Sequence, residues 1–190
     1  MAPFDRINVS EVEHVIKAPA SRWDKKIAAD LISEMEAFFG KVDTIPQMKQ
    51  ALAIAGYQGL QRQIEKAVEG KTDLDAVRAM AHAMRSFALG SPGLAIASFR
   101  DPDLNNTECQ EAAGQLAQIV LRVFGDAGIN GAAAKHAIRI LKSLVRGFVI
   151  NEMSAPVARP IEYQKSYVFA VEMFVRGLSE LQDFPLRKEA

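Results

Sequence analysis

The sequence is poor in the residues that stabilise disulfide-rich domains or build metal centres. It contains one cysteine, Cys109, three histidines and one tryptophan in 190 residues. A single cysteine excludes an internal disulfide and is typical of a reducing compartment. There is no run of about 18 apolar residues that could span a bilayer, and Met1 to Asp5 lack the pattern of a signal peptide. We therefore predict a cytoplasmic protein with no membrane partner.

The chain also lacks an excess of charge of either sign. Basic and acidic residues number 23 each, so no overall charge draws the protein towards nucleic acid or an acidic membrane. A local basic patch could still bind DNA. Hydrophobic residues make up 49% of the chain, which is enough to bury a sizeable core.

Strand patterns are scarce, because Val, Ile and Thr do not alternate with polar residues. The common residues are Ala, Leu, Met, Gln, Glu, Lys and Arg, which favour helices. Helix start and stop signals predict an all-α protein of about nine helices. These helices run over about residues 6–17, 24–32, 34–41, 45–70, 72–90, 93–99, 107–125, 131–153 and 163–184.

The predicted helices change character near residue 45. Three short helices precede that point, and longer helices with strong apolar periodicity follow it. This pattern predicts a small three-helix head over residues 1–45 and a larger helical body over residues 46–190.

Two helices of the body show a plain core face at helical spacing. On the fifth helix it comprises Val77, Met80, Ala81, Met84, Phe87 and Ala88, and on the seventh Ala113, Leu116, Val120, Val123 and Phe124.

The last two helices each carry a second apolar face that contains a glycine. Glycine inside a helix costs roughly 1 kcal/mol relative to alanine, so its presence suggests that another backbone comes close. Two such helices doubled by a two-fold axis would form a four-helix homodimer interface. The alternative is that the glycines let the two helices pack within one chain. The predicted interface residues are His136, Ile140, Ser143, Gly147, Ile150, Tyr163, Ser166, Ala170, Met173, Gly177 and Leu181.

Five short segments, in order over about 130 residues, carry a resemblance to a known family. They are Ala51-Leu52-Ala53-x-x-Gly56-Tyr57, Ala79-x-Ala81-His82-Ala83-x-Arg85-Ser86-Phe87-Ala88-Leu89, Pro92-Gly93-Leu94 with Asp101-Pro102-Asp103, His136-Ala137-x-Arg139-x-Leu141-x-Ser143-x-Val145-x-Gly147-Phe148-Val149, and Val175-x-Gly177-Leu178. From Pro46 to Leu181 the chain resembles the ligand-binding and dimerisation body of TetR-family transcriptional regulators. The resemblance implies a homodimer formed by the eighth and ninth helices, and a DNA-binding repressor that responds to a ligand.

The resemblance also implies a helix-turn-helix head that binds double-stranded DNA. The second helix would cross the phosphate backbone and the third would enter the major groove. In this chain the residues at the corresponding positions are Lys25, Lys26, Ser33, Glu34, Met35, Glu36, Ala37, Phe39 and Lys41.

The charge of the head supports an alternative function. Residues 1–45 hold eight acidic and six basic residues, and Glu34 and Glu36 lie where phosphate neutralisation would favour bases. Ile32 stands where the family's turn carries glycine. The alternative is a TetR-like homodimer whose head is impaired in DNA binding. This homodimer would serve as a module that binds a small molecule or a protein.

The resemblance further implies a pocket in the body for a small, mostly apolar effector. Candidate lining residues, each of which could instead be plain core, are Tyr57, Met84, Phe87, Phe99 and Phe124. His82 lies with polar residues on the helical wheel, away from the core face, and is expected to be a solvated histidine or a structural one of the family, and not a catalytic one. No catalytic constellation, metal site or cofactor motif appears, so we expect a protein that is not an enzyme.

Overall fold

The computed structural model describes residues 45–98, 102, 105–154 and 160–181. This part of the chain contains six helices and no strand, which confirms the all-helical prediction. The first three predicted helices lie outside the described residues. The six helices are α1 (Ile45–Val68), α2 (Asp73–Gly90), α3 (Pro92–Ser98), α4 (Thr107–Asp126), α5 (Gly131–Ser154) and α6 (Pro160–Leu181).

The final helix, α6, begins three residues before the predicted start at Tyr163. Its first residue is Pro160. Proline has no N–H, but an N–H in the first turn of a helix has no partner within the helix, and the fixed φ of proline suits that turn. Proline therefore begins this helix, and the prediction that placed Pro160 in the preceding loop was wrong.

The chain forms two compact units. The first comprises residues 1–59 and 90–113, and the second comprises residues 60–89 and 114–190. The predicted boundary near residue 45 falls where the described residues begin, so it stays a prediction.

In the first unit, α1 approaches α3 closely at Gly56. A Cβ atom on Gly56 would lie 2.4 Å from the carbonyl oxygen of Leu94, a separation that real Cβ atoms essentially never show. Leu52, Ala55 and Ala95 are buried around this contact. Glycine is therefore required at position 56 by the approach of another backbone.

The sequence pattern Thr107-x-x-Gln110 predicts a cap at Thr107, but the start of α4, also in the first unit, is capped by Asn106. The Cys109 amide donates to Asn106 Oδ1 at 2.7 Å, and the Gln110 amide donates to the Asn106 carbonyl at 3.0 Å. Asparagine is among the strongest N-cap residues, so it takes the cap one residue earlier.

In the second unit the predicted stripe of α2 is buried throughout. On α4 the prediction was right in part: Val123 and Phe124 are buried, whereas Leu116 and Val120 are only half-buried. Ile119 is buried in addition, because the buried face of this helix is wider than one stripe.

The turn between α4 and α5 sets where α5 begins. The Ile129 amide donates to the Phe124 carbonyl and the Gly128 amide to the Gly125 carbonyl, both at 2.9 Å. Gly128 has a φ of 80°, so this is a Schellman motif with glycine in the left-handed position. Ile129 and Phe124 are both fully buried, which anchors the turn to the core.

Candidate functional site

Helices α5 and α6 pack against each other and bury one side of each helix. Val145 of α5 and Tyr167, Val171 and Leu178 of α6 are almost entirely inaccessible to solvent. These inner residues mark the buried side of each helix, and the residues on the opposite sides face outwards.

The outward side of this pair, called here the outer surface, carries the predicted interface residues. His136, Ser143, Gly147, Ser166 and Gly177 are exposed, and Tyr163 and Ala170 are half-buried. The side chain of Leu181 lies outside the described ones.

Large apolar side chains lie among these polar and small residues. Ile140 is 50% exposed, Ile150 46% and Met173 61%. Phe169, at 67% exposure, belongs to the same surface and was missed from the sequence. It lies one turn before Met173, at the edge of the predicted face, and this spacing is the signal that could have found it.

The glycines of the outer surface have open space where a side chain would lie. A Cβ atom built on Gly147 or Gly177 meets nothing within 4 Å. Neither residue has a positive φ, so the backbone does not require glycine there. The alternative that these glycines let α5 and α6 pack within one chain is therefore wrong.

The inner side of the pair holds a polar junction with α2, defined by Arg85, Glu152 and Tyr167. Arg85 Nη2 donates to Glu152 Oε1 at 2.7 Å and its Nε donates to Oε2 at 3.1 Å. The Arg85 guanidinium also lies 5.2 Å from the centre of the Tyr167 ring. Tyr167 donates its hydroxyl to the Ala81 carbonyl at 2.6 Å. Arg85 thus contacts both α5 and α6.

Two further contacts surround the junction. Arg78 on α2 donates from Nε to Glu172 on α6 at 2.8 Å, in a more exposed position. His82 lies edge-on to Tyr167 at 5.6 Å between ring centres and is half-buried, which favours the structural histidine over the solvated one. The helical wheel places His82 with polar residues, away from the core face, and cannot show that Tyr167 lies against it.

Burial shifts the pKa of one group of the junction, Tyr167, and of His82 beside it. Burial lowers the pKa of His82, the charge of Arg85 lowers it further, and Glu172 opposes them. Burial raises the pKa of the Tyr167 hydroxyl, so it stays protonated and donates to Ala81. The junction thus holds a neutral tyrosine donor beside an ion pair.

Four of the five candidate effector-binding residues are part of the core. Tyr57, Met84, Phe87 and Phe124 are all buried, and Phe99 lies outside the described residues. A cleft of about 440 Å³ in the second unit shares none of these residues. Charged side chains including Glu65, Lys66, Arg122 and Asp126 line this cleft, which makes it a poor match to an apolar effector.

The DNA-binding prediction concerns residues that the structure does not describe. All nine candidate DNA-binding residues, from Lys25 to Lys41, lie outside the described part of the chain. None of the six described helices combines the length and apolarity needed to cross a membrane. Among the described residues, no three His, Cys, Asp or Glu side chains come together as metal ligands would.

Comparison with known protein families matches the region that contains the junction and most of the outer surface. The family described as Tetracyclin repressor-like, C-terminal domain, matches residues 77–174, more than half of the 190 residues. The chain belongs to the TetR family. The match runs from α2 into α6, so Arg85, Glu152 and Tyr167 all belong to the TetR-type C-terminal domain.

Individual relatives of this TetR-family chain are distant. It is 28% identical over 137 residues to an uncharacterized HTH-type transcriptional regulator of Mycobacterium tuberculosis, covering 70% of this chain and 63% of that protein. The chain thus spans less than two thirds of that relative. It is 24% identical over 143 residues to a protein of the same description from Bacillus subtilis, covering 75% and 74%.

A solved structure of a protein with unknown function from Rhodococcus sp. RHA1 has the same fold. The TM-score is 0.62 at 18% identity, over 88% of this chain and 90% of that one. At this identity the similarity concerns the fold alone.

Proposed function

We propose that this protein is a transcriptional regulator that acts as a homodimer and represses transcription when it is bound to its operator. Its TetR-type C-terminal domain and the names of its two relatives support a regulator. The observation that carries the homodimer is the outer surface, where exposed Ile140, Ile150 and Met173 accompany two glycines in open space. Apolar patches of this kind mark protein interaction sites, and small residues permit close helix contact.

The proposed partner is a second copy of the chain, in a four-helix arrangement of α5 and α6 from each subunit. Such an interface pairs the same patch with itself around a two-fold axis. The dimer would hold two heads at a fixed separation, as a palindromic operator requires.

The proposed regulation uses a small, mostly apolar effector in the body, in place of any enzymatic reaction. Met84, Phe87 and Phe124 are each buried in the second unit, so an effector that binds against any of them would have to open space in the core. An effector changes operator affinity only if it binds the two conformations with different affinity.

The experiment is selection of bound fragments from a random DNA pool, followed by titration of the selected sequence at several salt concentrations. A regulator should enrich a palindrome and lose affinity steeply with salt. Replacing Lys25, Lys26 and Lys41 by Ala should reduce the salt slope by about one for each of these lysines that neutralises a phosphate. The matched control removes three exposed lysines of the body, by substituting Ala at Lys66, Lys135 and Lys142, and should keep the slope.

The second candidate is a homodimer whose head does not bind DNA and which serves as a small-molecule or protein binding module. The excess of acidic residues in the first 45 positions favours it. A protein that sediments as a dimer but enriches no sequence, even at low salt, would establish this candidate and exclude the first.

A further inference from the structure

Arg85 and Glu152 form a buried ion pair, an arrangement that contributes little to stability. The two side chains are only 12% and 14% exposed. A buried ion pair is seldom more stabilising than two apolar residues of similar volume, because both charges lose their hydration. It does, however, impose one geometry, since the guanidinium donates two hydrogen bonds in a fixed plane. This pair therefore contributes more to the orientation of the helices than to the stability of the fold.

Directional contacts attach α2 to both helices of the outer surface. Arg85 bonds Glu152 on α5 and covers the Tyr167 ring on α6. One turn earlier on α2, the Ala81 carbonyl accepts the Tyr167 hydroxyl. Apolar packing alone would tolerate small rotations of α5, but these hydrogen bonds would break.

The end of α5 needs such an anchor. Gly147 lies inside this helix, where an added Cβ atom would meet nothing within 4 Å, and glycine weakens a helix at an interior position. Both Ile150 and Glu152 lie beyond it, in the last two turns. Side chains two positions apart on a helix point in directions that differ by about 200°. Holding Glu152 inwards on Arg85 therefore turns Ile150 outwards.

We propose that Arg85 and Glu152 are positioning residues of the dimerisation surface, holding the last turns of α5 so that Gly147 and Ile150 face a second copy. The inference rests on the homodimer proposed above. It also gives a route for regulation. Met84 and Phe87 flank Arg85 on α2, so a ligand that moves this helix moves the anchor of the interface.

The test compares two glutamates that each bond an arginine of α2. Glu152→Gln removes the charge of the buried pair, whereas Glu172→Gln does the same to the more exposed pair with Arg78. We expect Glu152→Gln to raise the dimer dissociation constant about tenfold and Glu172→Gln by less than about twofold. Sedimentation velocity over a concentration series gives the constants, and circular dichroism checks that helix content is equal.

Two double variants separate positioning from folding. Exchanging the charges, with Arg85→Glu and Glu152→Arg, should bring the dissociation constant back towards that of the unmodified protein. Arg85→Met with Glu152→Leu should keep the fold but still weaken the dimer, because an apolar pair does not set the rotation of α5.

Equal dissociation constants for Glu152→Gln and Glu172→Gln would overturn the inference. So would an apolar double variant that dimerises as tightly as the unmodified protein. If Glu152→Gln does not fold, the two double variants decide. An unmodified protein that is a monomer would overturn the proposed homodimer itself, and this inference with it.

Discussion

Glycines occupy helices in two different surroundings in this protein. On α1, the missing side chain of Gly56 makes room for the backbone of α3, with the Leu94 carbonyl oxygen 2.4 Å from the position of a Cβ. On α5 and α6, Gly147 and Gly177 face open space. The first glycine is explained by the chain that contains it. The other two weaken their helices without any gain inside the chain, and the exposed Ile140, Ile150 and Met173 on the same surface point to a second molecule.

The largest expected effect on stability is at Gly56, where the backbone of α3 occupies the space of a side chain. Gly56→Ala should lower the free energy of unfolding by about 1–3 kcal/mol, because the new methyl group overlaps a backbone oxygen that cannot move without α3. Urea denaturation followed by circular dichroism measures this. Unchanged stability would mean that α1 and α3 separate easily, and that Gly56 resembles the open glycines after all.

The opposite effect on stability is expected at Gly177, where the space of a side chain is open. Gly177→Ala should favour the α6 helix by up to about 1 kcal/mol, yet raise the dimer dissociation constant, because the methyl group enters the space of the partner's backbone. Sedimentation and denaturation on the same samples separate the two effects. Ser86→Ala, on the exposed side of α2, is the control and should leave dimerisation unchanged. Dimerisation that is unaffected by Gly177→Ala would contradict the proposed interface.

What the sequence could predict follows from what periodicity measures. The spacing of Val77, Met80 and Met84 shows that one side of a helix is buried, and the structure confirms it. The same spacing showed that α5 and α6 have a second apolar face. It could not show the Arg85–Glu152 pair, whose members are 67 residues apart and meet only because three helices pack together.

Local capping was harder to predict than the helices themselves. Asn106 and Thr107 are both good N-cap residues, and a sequence pattern cannot decide between neighbours. The candidate effector pocket was beyond sequence reasoning for another reason. Apolar residues such as Met84 and Phe87 have the same pattern whether they line a cavity or fill the core, and here they are buried.

The smallest expected effect concerns pH and the inner side of the α5–α6 pair. The pKa of His82 is lowered from 6.5, chiefly by burial and also by the charge of Arg85. The unfolded chain therefore takes up a proton near pH 6.5, while the folded protein does so only at lower pH. Unfolding then becomes more favourable as pH falls through that range, so the contribution of His82 to stability is present above pH 6.5 and is lost below it. Denaturation of the unmodified protein and of His82→Gln at pH 7.5 and pH 5.5 measures this contribution as a difference, which removes the effect of other titrating groups. Equal pH dependence in the two proteins would show that His82 is as well hydrated as a surface residue, and that the inner side is less closed than the contact with Tyr167 indicates.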